Sequence, residues 1–189
     1  MRIRFTPSLR LRPPPAFAAI LACFAFALAV RAADQAADDD PWIHRMNTGA
    51  ARLENGDFAA AMAAFQEALA LRPADMLARR NLARAQLFSG DVAGALATLE
   101  STQADPAHLA ATAYLTGLAH LRLDHPADAL PFLEQAVRLE PNLAALRFQL
   151  AKTFERLDRG DDAVTQFREA VRLDPQHASA RFELAMYAR

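Results

Sequence analysis

The residue types that most often carry chemistry are sparse in this sequence of 189 residues. Its five histidines are His44, His108, His120, His125 and His177. No two of them have the H-x-x-x-H spacing that places two imidazoles on one helix face, and none neighbours a pair of acids. Neither a G-x-S-x-G motif nor a phosphate-binding loop occurs. The acids of residues 158–162 flank a turn, as helix-capping residues do. We therefore predict a protein that is not an enzyme, with no catalytic residues, no metal site and no cofactor.

Charge and cysteine content narrow the function classes further. Five of the 21 Lys and Arg residues and none of the 22 Asp and Glu residues lie in residues 1–32, so residues 33–189 carry a net charge of 16 minus 22, or −6. A nucleic-acid-binding protein needs a basic surface, so we predict no nucleic-acid partner. The one cysteine, Cys23, also lies in residues 1–32, which excludes a disulfide framework or a Cys-based zinc site from the rest.

Residues 1–32 resemble an export signal. Several arginines precede an unbroken apolar run from Ala16 to Val30, and the small-residue pattern Val30-Arg31-Ala32 ends the segment. This is the layout of a secretory signal peptide, and the run is shorter than the ~20 residues that span a bilayer comfortably. We predict a signal peptide over 1–32 and export of the remainder. An uncleaved signal anchor and a lipoprotein modified at Cys23 are the alternatives.

A 34-residue period begins after an acidic linker at 33–41. Small residues, alanines, large apolar residues and prolines recur at this step: Gly49, Ala83, Gly117, Ala151 and Ala185; Ala61, Ala95, Ala129 and Ala163; Phe65, Leu99, Leu133 and Phe167; Pro73, Pro141 and Pro175, with Pro106 one place early. A fixed period of this length indicates a repeat architecture. We expect the small residue and the later alanine of each unit to face each other where two antiparallel helices cross, and the proline to end the second helix. Gly56 and Gly90 mark turns between helices, and 158–160 is expected to form a less conventional one.

The units resemble tetratricopeptide repeats. The stretch Gly56–Pro73 reads G-x-F-x-x-A-M-x-x-F-x-x-A-L-x-L-x-P, and Asp158–Pro175 reads D-x-G-x-x-A-V-x-x-F-x-x-A-V-x-L-x-P. The resemblance implies an all-α fold, an α-solenoid of antiparallel helix pairs over 42–189. Its units would be 42–75, 76–109, 110–143 and 144–177, with a terminal half unit at 178–189. The sequence departs from the family in having Arg45, Arg79, Ala113 and Arg147 at the usual tryptophan position, and Thr102 in the second unit.

In this family the first helices line a concave groove that binds peptide segments. The resemblance places these residues on the groove: Arg80, Asn81, Arg84, Tyr114, Leu118, Phe148, Gln149, Lys152 and Phe182. Tyr114, Phe148 and Phe182 recur at the repeat step as an aromatic ladder. The basic residues beside them are candidates to pair with carboxylates. In the alternative interpretation the aromatics belong partly to the core and the basic side chains are only solvated. The family's clamp for a C-terminal carboxylate is not expected, because only Asn81 matches its residues.

The resemblance implies an exported adaptor or scaffold that binds a protein or peptide segment, within an envelope or secretion assembly and most simply in the periplasm. Contact with a membrane would come only through an uncleaved signal anchor. One alternative is a spacer or oligomerisation module, with self-association through the apolar residues of 178–189. The other is an N-terminal fragment of a larger multidomain protein.

Overall fold

The computed structural model describes residues 40–102 and 109–187. The predicted signal peptide and most of the predicted linker therefore lie outside the described residues. The chain divides into two units, 1–44 and 45–189, and of the first only residues 40–44 are described. Within the described ranges there is no strand, and nine helices follow one another: α1 Pro41–Glu54, α2 Phe58–Leu71, α3 Met76–Ser89, α4 Val92–Glu100, α5 Leu109–Arg122, α6 Pro126–Leu139, α7 Ala144–Arg156, α8 Gly160–Leu173 and α9 Ala178–Tyr187. The prediction of an all-α helical repeat is confirmed.

Aspartates begin several of these helices. Asp57, Asp75 and Asp91 each accept a hydrogen bond from the backbone N–H three residues later, which satisfies one of the free donors at a helix start. Asp40 precedes Pro41, and its carboxylate accepts from the backbone N–H of Trp42 at 2.9 Å. A side-chain acceptor followed by proline at the first helical position is a typical helix start.

The turn inside each unit has a left-handed residue at the same repeat position. Gly56 and Gly90 have φ values of +74° and +94°, and Asp124 and Asp158 have φ values of 60° and 59°. Glycine adopts this conformation without a steric penalty, and aspartate tolerates it better than most residues. In the fourth turn the left-handed residue is therefore Asp158. Gly160, which we expected to belong to that turn, is the first residue of α8.

The core follows the repeat period. The four recurring alanines and the four large residues four positions later are at most 1% exposed. The small residue of the first helix packs against that large residue. A Cβ atom built on Gly49 would lie 2.6 Å from the Phe65 ring, and one on Gly117 would lie 2.7 Å from Leu133. The large residue therefore also lies at the expected crossing, and the Cβ built on Gly117 would lie 3.4 Å from the backbone carbonyl oxygen of Ala129 as well.

The second unit differs from the others. Its second helix, α4, has nine residues, whereas α2, α6 and α8 have 14 each. Thr102 follows its end and is 1% exposed, and its hydroxyl donates to the backbone carbonyl of Leu99 at 2.8 Å. A buried hydroxyl that bonds to the preceding turn competes with continuation of a helix.

Three units have arginine at the position where the resemblance predicts tryptophan, and each of these arginines contacts a backbone carbonyl or a carboxylate. Arg79 donates to the backbone carbonyl of Pro73 at 2.5 Å, and Arg147 donates to that of Pro141 at 3.3 Å. Arg45 instead forms an ion pair of 2.8 Å with Glu67. Ala113 is too small to reach a neighbour in this way. Beside it lies a cleft of about 300 Å³ lined by Leu109, Thr112, Ala113, Thr116, Phe132 and Gln135.

No helix in the described part of the chain combines the length and the apolar character needed to cross a bilayer.

Candidate functional site

The first helices α3, α5 and α7 line a cleft of about 510 Å³. Its floor is apolar and its rim carries cations. The lining residues are Leu87, Phe88, Tyr114, Leu115, Leu118, Leu121, Arg122, Phe148, Gln149, Lys152 and Arg156. An apolar surface with a few placed polar groups is the usual composition of a binding site.

A second cleft of about 370 Å³ adjoins the first over α3 and α5. Phe88, Tyr114, Leu115 and Leu118 line both clefts, so the two form one groove. The second cleft adds Arg80, Asn81, Arg84 and Ala111. The groove therefore brings together eight of the nine residues that the sequence analysis placed on it.

Phe182 is the ninth predicted residue, and the structure does not bring it into the groove. It lies on α9, is 64% exposed and lines neither cleft. Among the described residues, Tyr114 and Phe148 face a common cleft, and the expected ladder does not extend to the third aromatic. The equal spacing of the three aromatics did not predict this, because the exposure of a ring depends on the elements packed around its helix and not on its position in the repeat.

Tyr114 and Phe148 serve both the groove and the core. Both are half-buried, line the larger cleft and pack against the core of the third and fourth units. The Phe148 ring lies 5.7 Å from the Phe167 ring and 4.9 Å from the His177 ring, centroid to centroid. Both residues therefore belong partly to the core, as the alternative interpretation has it, and both also line the cleft.

Burial also affects the Tyr114 hydroxyl. Removal from water raises the pKa of Tyr114 above 10.0, while a hydrogen bond with Gln149 and the nearby charge of Arg84 act in the opposite direction. Tyr114 stays a neutral phenol at neutral pH. Its hydroxyl links α5 to Gln149 of α7 across the groove.

The cations along the rim are not equivalent. Lys152 of α7 forms ion pairs with Glu155 at 2.5 Å and with Glu183 of α9 at 3.0 Å. Burial lowers the pKa of Lys152, but its hydrogen bonds to these two carboxylates outweigh burial and raise the pKa above 10.5. Arg156 is likewise paired with Asp124. The expectation that Lys152 is available to pair with a partner's carboxylate is therefore not supported, since internal acids occupy it.

The α3 end of the groove carries a different set of cations. The Arg84 guanidinium lies 5.9 Å from the centroid of the Phe88 ring, and the Arg122 guanidinium lies 6.0 Å from the same centroid. Phe88 is 42% exposed and stacks at 5.8 Å on Phe58 of α2. Within the described residues neither arginine forms an ion pair with a carboxylate, so positive charge is concentrated near α3. Arg122 was not among the predicted groove residues; it lies one repeat before Arg156, which also lines the larger cleft.

The terminal helix α9 docks on the fourth unit. Glu183 contributes the ion pair with Lys152, and the Tyr187 ring lies 6.3 Å from the Phe167 ring. Burial and a hydrogen bond to the Glu155 carboxylate both raise the pKa of Tyr187 above 10.0. One polar cluster, formed by Lys152, Glu155, Glu183 and Tyr187, thus joins α9 to α7.

Comparisons with known proteins agree with this architecture. One tetratricopeptide-repeat model matches residues 52–121 and again 120–181, and a second matches residues 25–75. No match was found among curated proteins.

Solved structures with the same fold include several repeat proteins. MamA 41-end from Desulfovibrio magneticus RS-1 is 25% identical, with a TM-score of 0.64, over 73% of this chain and 77% of that chain. YrrB, a TPR protein with an unusual peptide-binding site, is 22% identical with a TM-score of 0.61, over 81% of this chain and 80% of that one. The APC/C hetero-tetramer Cut9-Hcn1 is 21% identical with a TM-score of 0.69, over 75% of this chain but 29% of that one.

Matches to one family model extend over most of the chain, from residue 52 to residue 181. The chain belongs to the tetratricopeptide-repeat family.

Proposed function

We propose that this protein is a non-catalytic, exported scaffold that binds a peptide segment of a partner protein in the groove over α3, α5 and α7. The observation that carries the proposal is the groove itself. Side chains from three successive units form one continuous apolar surface with cations along its rim. Half-buried aromatic residues with an arginine beside them are the residues that dominate the energy of protein interfaces. The peptide-binding description of YrrB supports the same use of the fold.

The distribution of charge specifies the kind of segment that would fit. Lys152 and Arg156 are paired with acids of this chain, so the α7 end of the groove offers mainly apolar contacts from Leu118, Leu121 and Phe148. Positive charge near Arg84 and Arg122 favours carboxylates at the α3 end. We therefore expect a segment with aromatic or aliphatic side chains at one end and Asp or Glu at the other.

Selection from a library of displayed peptides on the purified full-length chain tests this proposal. We expect enrichment of peptides with the stated pattern, and weaker binding at high salt because screening reduces the contribution of the acids. Binding should be lost in the double variant Arg84→Glu with Phe88→Ala. Phe148 is left intact because its contact with Phe167 makes it part of the core.

A matched control is available on the second helix of the third unit. Arg138 and Leu139 are exposed on α6 and line none of the clefts described above. The variant Arg138→Glu with Leu139→Ala makes the same two kinds of change away from the groove and should bind like the parent. Equal binding by the parent and the groove variant, with circular dichroism showing both folded, would refute the groove proposal.

Export forms a separate part of the proposal. The arginines, the apolar run from Ala16 to Val30 and the small-residue pattern that follows it support a signal peptide and, in a cell with two membranes, a periplasmic site of action. Mass spectrometry of the protein from fractionated cells tests this. Export with cleavage gives an N-terminus near residue 33 in the periplasmic fraction. An intact N-terminus in the membrane fraction indicates the anchored alternative, and an intact N-terminus in the cytoplasm contradicts export.

A second candidate function, self-association through the terminal helix, rests on one observation. Phe182, Met186 and Tyr187 of α9 are 64%, 48% and 43% exposed, an unusual concentration of large apolar side chains at the surface. Sedimentation of the parent and of Phe182→Ser with Met186→Ser distinguishes the two functions. A dimer that this change dissociates favours the oligomerisation module, and a monomeric parent excludes it.

A further inference from the structure

The four intra-unit turns share one backbone geometry. In each, the N–H just after the left-handed residue donates to the carbonyl five residues earlier at 2.9 Å; the donor and acceptor pairs are Asp57 and Arg52, Asp91 and Gln86, His125 and His120, and Arg159 and Phe154. This is the six-to-one hydrogen bond of a Schellman motif. The motif brings the side chains of its two end residues close together, so each pair must be chemically compatible.

Three of the four pairs have an evident contact. Arg52 and Asp57 form an ion pair at 3.4 Å, and the Gln86 amide donates to the Asp91 carboxylate at 3.5 Å. In the fourth unit the Arg159 guanidinium lies 4.4 Å above the Phe154 ring. In the third unit the motif holds two histidines instead. Two imidazoles form neither an ion pair nor a cation–π contact with each other when both are neutral, but both can bind the same metal ion.

A carboxylate completes the group. His120, His125 and Asp128 each offer a ligand atom, and these atoms lie within 4.8 Å of one another. The His125 Nδ1 is 3.7 Å from the Asp128 carboxylate. His120 is half-buried and stacked on Phe132, with ring centroids 5.5 Å apart and planes 9° apart, which holds its imidazole in one orientation. Its Nδ1 is buried and has no hydrogen-bond partner in the described part of the chain.

We propose that His120, His125 and Asp128 bind a divalent transition metal of the zinc class. Two imidazoles and one carboxylate form a ligand set that suits Zn²⁺, with water at the fourth position. Metal–ligand distances of about 2.0–2.2 Å bring ligand atoms closer together than they are here. Closing the site around His120 would require rotation of His125 and Asp128, whose side chains are exposed. The metal would join the end of α5 to the start of α6, and none of its three ligands lines the peptide groove.

The histidine spacing predicted no metal site, because no two histidines have the H-x-x-x-H spacing that places them on one helix face. Here the spacing is H-x-x-x-x-H-x-x-D, and the two histidines lie on either side of a turn. A left-handed Asp124 between them brings them together. This signal is visible only when the turn geometry is known.

Calorimetric titration of the untagged full-length chain with Zn²⁺ tests the site. We expect one equivalent of Zn²⁺ to bind. His125→Ala and Asp128→Asn should each raise the Kd at least about 10-fold, because the loss of a residue that only supports a metal ligand already weakens metal binding by about that factor. Because His125 and Asp128 are exposed, these variants should keep the fold. Titration with Co²⁺ gives a second readout, since bands of tetrahedral Co²⁺ should appear in the parent and not in the variants.

His44→Ala is the matched control, because His44 is an exposed histidine on α1 outside the cluster. It should bind Zn²⁺ like the parent. Absence of stoichiometric binding by the parent, or binding that survives both His125→Ala and Asp128→Asn, overturns the proposal. In that case the contact between Asp128 and His125 is only a local interaction in the first turn of α6.

Discussion

The guanidinium of Arg156 donates a hydrogen bond of 2.9 Å to the backbone carbonyl of Leu121, in the last turn of the preceding first helix. Arg122 makes the equivalent bond of 3.4 Å to the carbonyl of Leu87, one unit earlier. These carbonyls lie at helix C-termini, where the macrodipole favours a cation. The same bond therefore connects successive first helices at the rim of the groove.

Removal of this connection should weaken the stack. Arg156→Met keeps the apolar stem but removes the donors, and we expect the free energy of unfolding to fall by about 1 kcal/mol, the usual net value of a hydrogen bond. Denaturation in urea measures the change. Arg138→Met is the control on an exposed helix face and should stay within about 0.5 kcal/mol of the parent. Equal stability of the two variants would contradict a structural role for the Arg156 bond.

The close approach of Gly49 and Phe65 gives a second prediction. Gly49→Val places a branched side chain where even a Cβ atom would lie 2.6 Å from a ring that is fully buried. Such overpacking costs about 1–3 kcal/mol. Ala51→Val on the exposed face of the same helix should cost only the smaller difference in helix propensity, about 0.5 kcal/mol. Thermal unfolding of both variants tests whether the first unit requires a small residue at this crossing.

The left-handed aspartates predict a stabilising substitution. Asp158→Gly removes the strain of a side chain at φ 59°, and we expect a gain of up to about 1 kcal/mol. Asp124→Gly should gain less, because it also removes the ion pair with Arg156. As a control, Asp161→Gly inside the first turn of α8 should destabilise the protein by about 1 kcal/mol. A loss of stability in Asp158→Gly would show that the turn does not require this conformation.

Alkaline pH should destabilise the C-terminal units. The pKa values of Tyr114 and Tyr187 are raised by burial, and that of Lys152 is raised by its two carboxylate partners. Each group binds its proton more tightly in the folded state. The stability it contributes is therefore fully present below the unfolded pKa, 10.0 for tyrosine and 10.5 for lysine, and is lost as pH rises through the raised folded value.

The composition allows the alkaline prediction to be tested with three substitutions. Tyr114 and Tyr187 are the only tyrosines of the chain, and Lys152 is its only lysine. Urea denaturation at pH 8 and pH 11 should show a smaller loss of stability in the variant Tyr114→Phe, Tyr187→Phe, Lys152→Met than in the parent. If both lose the same amount, the alkaline sensitivity arises elsewhere.

The fold was predictable because the repeat period combines small, large and helix-ending residues whose packing does not depend on distant partners. The groove was mostly predictable for the same reason, since equivalent positions of first helices face the same way. Side-chain pairing was not predictable. Lys152 of α7 meets Glu183 only because α9 docks at a particular rotation, and no local pattern encodes that rotation.

Two further features depended on backbone geometry. The sequence signals turns with Gly56 and Gly90, but the two turns without glycine use Asp124 and Asp158, and a left-handed aspartate has only a weak signature. The meeting of His120 with His125 follows from the first of these turns. Phe182 is exposed because no helix among the described residues covers it. Its 34-residue spacing from Phe148 gives no indication of this.

We expect the nine-residue α4 to be the first of the second helices to unfold. Repeats are stabilised by their nearest neighbours, so unfolding can begin at the weakest element and leave the others intact. The buried cluster that runs from Ala113 to Ala180 does not include α4. Amide hydrogens of α4 should therefore exchange with solvent before those of α6 and α8. A peptide seated across α3 and α5 would bridge this weak element, so ligand binding should slow its exchange most.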